Sequence, residues 1–261
     1  MRTPQKKLSK LKDIVKNLDS AIIAFSGGVD SSLLAKVCYD ILGEKCAAVT
    51  AVSETYPKED LKSAKRIAKL VGIKHVIIRT CEMKNKKFAS NPKDRCYYCK
   101  CGLFSELRKL AGKMKIKNII DGTNAGDLKD YRPGLKARQK FGIASPLALA
   151  ELNKKEIRAL SKNMGLPTHD KPSSPCLATR IPFGSEITAE KIRAVEKAES
   201  IIKKLGYKTA RVRHHGDIAR IEIGDEKIHM KELKAAAGRI KKAGFRYVAL
   251  DLEGYKTGGG F

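Results

Sequence analysis

Five apolar residues, Ala21-Ile22-Ile23-Ala24-Phe25, lead without a break into Ser26-Gly27-Gly28-Val29-Asp30-Ser31-Ser32 and then into an apolar segment with helical spacing. A short apolar run of this kind reads as a buried strand. A glycine turn joining such a strand to a helix leaves the first helical N–H groups unpaired at the positive end of the helix dipole, which is an anion site. Gly27 and Gly28 let the backbone approach phosphate closely, while Ser26, Ser31 and Ser32 add hydroxyl donors. Asp30 would repel a phosphate unless Mg2+ lay between the two. No lysine follows the loop as it would in a Walker A motif, which argues against γ-phosphate transfer through a P-loop.

The pattern around the loop fixes the fold class. Strand candidates at 21–25, 47–52, 75–79 and 118–121 alternate with helix candidates at 31–42, 58–71 and 102–112. That alternation predicts an α/β, doubly wound, mainly parallel sheet over residues 1–170. Ligands of such sheets bind where the loops after the carboxyl ends of the strands converge. Asp121-Gly122-Thr123-Asn124 ends the fourth candidate strand, so Gly122 and Thr123 join the expected nucleotide site. Residues 171–187 are rich in proline and serine and read as an ordered linker or functional loop. Beyond them the pattern predicts a smaller α+β domain over 188–261. Thr188 caps a helix with apolar positions Ile192, Val195, Ile202 and Leu205, strands at 210–214 and 218–223 turn at Gly216-Asp217, and a helix near 231–243 and a strand at 247–252 follow.

Composition narrows the partners. The chain has 261 residues, 42% of them hydrophobic, without the uninterrupted apolar run of about 20 that a membrane span needs, so a soluble cytoplasmic protein is expected. A net charge of +26 attracts polyanions, whether nucleotides, anionic small molecules or RNA, although the lysines are spread along the whole chain. Seven cysteines in such a chain point to metal binding or catalysis rather than to disulfides. Cys38, Cys46 and Cys81 stand alone among apolar or helical neighbours and read as inert core thiols. Cys96 and Cys99 in Asp94-Arg95-Cys96-Tyr97-Tyr98-Cys99-Lys100 have the spacing of metal knuckles and redox pairs, and Cys176 lies in Lys171-Pro172-Ser173-Ser174-Pro175-Cys176-Leu177. With no second Cys-x-x-Cys, a four-cysteine zinc ribbon is not expected.

The run Ser26–Ser32 resembles the PP-loop of the ATP pyrophosphatase superfamily, which cleaves ATP between the α- and β-phosphates and transfers AMP to an oxygen. The combination of SGGVDSS, CYYCK, DGTNAGD, YRPGLKA, KPSSPCLATRIPFG and RVR resembles the LarE family over essentially the whole chain. That resemblance implies ATP- and Mg2+-dependent conversion of a pyridinium biscarboxylic acid mononucleotide, by way of an acyl-adenylate, into its bis-thiocarboxylate. The product is a precursor of the nickel-pincer nucleotide of lactate racemase.

Within the resemblance, Cys176, Asp30 and Arg180 are the catalytic candidates. Sacrificial members of the family keep only the cysteine matching Cys176 and donate its own sulfur, leaving dehydroalanine. The presence of Cys96 and Cys99 matches a subclass in which Cys96, Cys99 and Cys176 hold a 4Fe-4S cluster whose fourth iron carries exogenous sulfide. A smaller departure is Gly126, where many relatives carry a second acidic residue.

Arg211 and Arg213 alternate with Val212 and so share one strand face, a pairing suited to phosphate or carboxylate. Arg180 is expected to steady the substrate phosphate or the adenylate, and Glu199, beside the apolar stripe of its helix, wants a partner or a metal; with Arg180, Arg211 and Arg213 it is a candidate for substrate binding. A homo-oligomer, with a hexamer as one form, is also implied. The rival readings are a PP-loop tRNA thiolase, which the positive charge fits, an amide-forming ligase of the NAD-synthetase kind, and a nucleotide-binding module without catalysis.

Overall fold

The computed structural model describes residues 3–128 and 133–256; Tyr131 and Arg132 of the YRPGLKA motif lie outside the described residues. In chain order the elements are α1 (Pro4–Lys16), β1 (Ala21–Ala24), α2 (Val29–Leu42), β2 (Cys46–Val52), α3 (Lys58–Val71), β3 (Lys74–Arg79), α4 (Lys86–Ala89), α5 (Arg95–Met114) and β4 (Asn118–Asp121). There follow α6 (Gly134–Lys140), α7 (Pro146–Leu149), α8 (Lys154–Asn163), α9 (Ala189–Lys204), β5 (Ala210–His215), β6 (Ile218–Ile223), α10 (Met230–Lys241) and β7 (Tyr247–Leu250). The chain divides into two compact units. The first comprises the described residues of Met1–Ser53, Lys58–Glu82 and Asp94–Ser174, and the second those of Glu54–Pro57, Met83–Lys93 and Pro175–Phe261. No helix among the described residues is long and apolar enough to cross a membrane.

The first unit is an α/β layer structure around a parallel sheet of order β3-β2-β1-β4. Its central strand pairs with β2 from Ala21↔Cys46 and with β4 from Ala21↔Asn118, so the strand order reverses on either side of β1. Successive strand residues face opposite ways. Ala21 and Ile23 enter a core with Leu33, Leu34 and Val37 of α2 and Ile157 and Leu160 of α8, whereas Ile22 enters another with Phe104 and Leu107 of α5 and Ala137 of α6. Helices therefore cover both faces, as the near-continuous apolar strands require.

Two local differences from the sequence expectation bear on the site. Helix α5 begins at Arg95 rather than near residue 102, because burial of Phe104, Leu107 and Ala111 carries the helix through Gly102, whose missing side chain faces open space. Helices α6, α7 and α8 lie in a stretch whose periodicity is too short to read. Helix α8 nevertheless had a legible start: Asn153 accepts from the Glu156 N–H at 3.0 Å, and Glu156 accepts from the Asn153 N–H at 2.9 Å, a reciprocal capping box.

The second unit carries a three-stranded sheet of order β5-β6-β7, antiparallel between β5 and β6 and parallel between β6 and β7. Gly216, at φ +58, makes the hairpin turn. Thr188 caps α9 by accepting from the Lys191 N–H at 3.3 Å. The early segments belong here through specific bonds: the Asn91 side chain donates to the carbonyls of Ile181, Pro182 and Ser185 at 2.7–3.2 Å.

Candidate active site

In the first unit, the Phe25 N–H extends the sheet by donating to Val49 O at 2.8 Å, and the chain then turns at Gly27 with φ +65. A Cβ on Gly27 would lie 2.7 Å from Ala64 Cα of α3, so both the conformation and the space demand glycine. Gly28 follows at the N-cap with extended backbone, and α2 starts without a side-chain cap. The hydroxyls of Ser26 and Ser31 lie 3.1 Å apart, and Ser31 Oγ also accepts from the Ser26 N–H at 3.3 Å. Ser26 is exposed while Ser31 and Ser32 are buried, and Ser32 Oγ meets no hydrogen-bond partner among the described residues.

The loop after β4 lies against this turn. A Cβ on Gly122 would stand 3.1 Å from the Ser31 nitrogen, so the bare backbone there is what lets the two loops approach. Asp121 is buried and holds the turn itself, accepting from the Thr123 N–H at 3.1 Å, Thr123 Oγ1 at 2.9 Å and Ser145 Oγ at 2.5 Å. Gly126 N–H donates to Asn124 Oδ1 at 2.8 Å, so at this departure from the family pattern the backbone takes part in the turn.

Three polar residues to which the sequence assigned no role complete the loop's surroundings. Asn124 Nδ2 donates to Asp30 Oδ1 at 3.3 Å, and Lys154, at the first position of α8, forms an ion pair with Asp30 Oδ2. Lys171 Nζ donates to Gly27 O at 3.2 Å. Two ammonium groups from distant sequence thus lie against the loop. Only the Asn153 cap ahead of Lys154 offered a clue.

Whether ATP and Mg2+ fit can be judged from these contacts. The glycine cradle that a Cβ would fill, the uncapped helix end and the hydroxyls suit phosphate. Asp30, whose two oxygens are held by an amide and an ammonium, has the hard oxygen donors that Mg2+ takes.

The cysteines divide by environment. Cys38 and Cys46 are buried, and burial pushes the Cys46 thiol up to about 11 and that of Cys38 higher still, with Cys46 adding to the shift at Cys38. Both are inert core thiols. Cys81 is exposed, against expectation, because it lies just past the end of β3, beyond the sheet's cover. Cys96, exposed, and Cys99, half-buried, lie three residues apart in the first two turns of α5, hence on one helical face. That pair fits one edge of a thiolate-ligated cluster. Cys176, half-buried, belongs to the other unit, and no three His, Cys, Asp or Glu side chains among the described residues are gathered as a metal site.

In the second unit, Arg180 is 2% exposed, and its guanidinium is fully engaged. Its Nε and Nη2 donate to the two Glu199 oxygens at 2.7 and 3.2 Å, and Nη1 donates to Thr179 Oγ1 at 2.7 Å, Pro175 O at 3.1 Å and Cys176 O at 3.4 Å. Glu199, buried, also accepts from the Val212 N–H at 3.2 Å, which is the partner its position demanded. Arg213 is gripped by both oxygens of Glu222 at 2.9 Å and donates to Thr179 O at 2.8 Å.

Arg211 lies over the Tyr255 ring at 5.1 Å and donates to Ala210 O at 2.8 Å. Burial, and then the nearby Arg180 charge, push its guanidinium below the usual arginine value. Glu199 thus holds Arg180, and Glu222 holds both Arg213 and Arg220, whose Nη2 donates to Glu222 Oε1 at 2.9 Å.

Comparisons with known proteins give the family. The NAD synthase family matches residues 5–96, which contain the glycine loop and β1 to β3. An uncharacterized protein of Synechocystis sp. is 44% identical over 258 residues, 97% of this chain and 96% of the relative. Pyridinium-3,5-bisthiocarboxylic acid mononucleotide synthase of Lactiplantibacillus plantarum is 35% identical over 261 residues, 99% of this chain and 95% of that enzyme. An uncharacterized protein of Methanocaldococcus jannaschii is 34% identical over 261 residues, 97% of this chain and 98% of the relative.

Proposed function

The chain belongs to the LarE family, and on that premise we propose that it inserts sulfur into the carboxylates of pyridinium-3,5-biscarboxylic acid mononucleotide to give the bis-thiocarboxylate. It is an ATP-dependent enzyme. The observation that carries the reading is the glycine loop 26–32 at the point where the strand order reverses, with Asp30 held at its edge.

ATP binds with its phosphates on Gly27, Gly28, Ser26, Ser31 and Ser32, with Gly122 and Thr123 walling the other side. A substrate carboxylate oxygen attacks the α-phosphorus, the bond to the β-phosphate oxygen breaks, and pyrophosphate leaves toward the N–H groups and dipole of α2, which stabilise the developing charge. Asp30 would hold Mg2+, which when bound would neutralise phosphate charge. A sulfur nucleophile then attacks the acyl carbon and displaces AMP. Arg211 and Arg213 supply the positive surroundings for the anionic substrate, with Glu199 fixing Arg180, and Arg180 holds the backbone of the Cys176 turn.

The sulfur source is the second part of the reading. Cys96, Cys99 and Cys176 would hold a 4Fe-4S cluster, which when bound supplies a thiophilic iron for exogenous sulfide. The i, i+3 placement of Cys96 and Cys99 supports it. A cytoplasmic setting and a homo-oligomer, with a hexamer as one form, belong to the same reading.

The test is to incubate anaerobically reconstituted protein with ATP, Mg2+, sulfide and the biscarboxylate mononucleotide, and to measure both product and protein masses. Several turnovers with Cys176 intact are expected. Product limited to one sulfur per chain, with dehydroalanine at 176, would replace the cluster by sacrificial donation. Absence of product together with thiolation of tRNA would replace the substrate.

A further inference from the structure

Residues 134–137 of the YRPGLKA motif form the first turn of α6, and Arg138 follows them directly. This helix is fastened to α5 at both ends, wholly within the first unit. A Cβ on Gly134 would stand 3.3 Å from Lys100 Cγ, and Arg108 Nη2 donates to Phe141 O, just past the last turn of α6, at 2.6 Å. Between these points Ala137 is buried with Phe104 and Leu107. The half-buried Arg138 therefore stands on a fixed base.

The chain after α6 returns alongside β4. Asp121 N–H donates to Ala144 O at 3.0 Å and Ala144 N–H to Ile119 O at 3.3 Å, which sets Ser145 beside Asp121. Ser145 occupies the N-cap of α7, where a serine hydroxyl ordinarily accepts from a helix N–H. Here it makes no cap bond. Its proton goes instead to Asp121 Oδ1 at 2.5 Å, and its oxygen accepts from Arg138 Nη1 at 2.9 Å. The direction is fixed at both ends, because a guanidinium only donates and a carboxylate only accepts. Both Ser145 and Asp121 are buried.

The other donors to Asp121 are the N–H and the hydroxyl of Thr123. One carboxylate thereby fixes the turn whose Gly122 lies against the Ser31 nitrogen and whose Asn124 donates to Asp30. A carboxylate with free oxygens beside a phosphate site would repel ATP, whereas this one is engaged by the turn on one side and by a cation-backed hydroxyl on the other. We propose that Arg138 and Ser145 are positioning residues of the ATP site, a relay that orients Asp121 and, through it, the turn 121–124 against the phosphate loop. The proposal rests on the functional reading above. Neither residue touches ATP; both act through Asp121.

Two readouts test it on the full chain. The first is affinity for a non-hydrolysable ATP analogue with Mg2+, read by calorimetric titration. A hydrogen bond to a charged group is worth about tenfold or more in an equilibrium, so Arg138→Met and Ser145→Ala should each weaken binding by about tenfold. The double variant should bind no more weakly than the weaker single variant, because both changes act through one carboxylate. In turnover the same loss appears as a raised KM for ATP. A purely structural role would instead reduce the folded fraction, lowering kcat with KM unmoved.

The second readout is amide hydrogen exchange in nucleotide-free protein. Exchange at Thr123, whose N–H donates to Asp121 Oδ1, should quicken by about tenfold in both single variants, with exchange in β1 unchanged. Parent affinity in both single variants, losses that add in the double variant, or unchanged exchange at Thr123 overturns the relay. If the parent protein binds no analogue, the ATP reading itself fails, and the Thr123 exchange rates alone then decide whether the relay holds the turn.

Discussion

Arg180 and Glu199 are a charged pair of which neither member can leave alone. Both are buried, the Nε and Nη2 edge of the guanidinium meets both Glu199 oxygens, and the carboxylate also holds the backbone of β5. Removing one partner leaves an uncompensated charge in the core, so Glu199→Ala should lower unfolding stability by about 3–5 kcal/mol, read from urea titration. Glu199→Gln should lose less, because it keeps an acceptor for Arg180.

Gly27 gives the complementary case of a residue fixed by backbone. Gly27→Ala places a Cβ in contact with Ala64 at a φ that side chains rarely adopt, and ATP-dependent pyrophosphate release should fall to background. The glycine loop was legible because a strand, two glycines and a helix are contiguous in sequence. The roles of Lys154, Lys171 and Asn124 were not, because they depend on which distant loop the fold brings beside them. Arg211 and Arg213 were legible as sharing a strand face, while their burial against Glu222 and Tyr255 is a property of tertiary packing.

At the scale of elements, caps decide where the helices begin. Thr188→Ala removes the acceptor for the Lys191 N–H, and Asn153→Ala removes half of a capping box. Each should cost about 1 kcal/mol in thermal or urea unfolding. The Asn153 change has a further consequence, because Lys154 is the first residue of α8 and pairs with Asp30. Fraying there loosens that pair, so Asn153→Ala should also weaken ATP binding, whereas Thr188→Ala, in the other unit, should leave ATP affinity unchanged; calorimetric titration with a non-hydrolysable ATP analogue separates the two.

Strands β1 to β4 were readable because a buried parallel strand is a short apolar run. Helix α5 was read from its apolar second half alone, and its polar, cysteine-bearing first turns became helical through continuation of that packing. This changes the meaning of the Cys-x-x-Cys spacing, from a knuckle in a loop to two thiols on one helical face.

At the scale of the whole molecule, three histidines set an acid limit. Burial lowers His75, His214 and His215 below the ordinary 6.5, with Lys65, Lys191 and Arg220 respectively adding to it. The folded state thus holds these rings neutral while the unfolded chain protonates them. Their contribution to stability is complete above about pH 6.5 and is lost as the pH falls toward the folded-state values. The urea midpoint should be lower at about pH 5.5 than at about pH 7.5, and His75→Gln should flatten that dependence.

Electrostatics on the same scale leave a net charge of +26, which fits an anionic substrate and does not by itself separate a mononucleotide from tRNA. The chemistry of activation separates the central claim from its rivals. The measurement is to supply the biscarboxylate mononucleotide with 18O in both carboxylates, with ATP, Mg2+ and sulfide, and to weigh the AMP and pyrophosphate released. Adenylylation at the glycine loop predicts one heavy oxygen in AMP and none in pyrophosphate; AMP free of 18O while thiocarboxylate accumulates would contradict it.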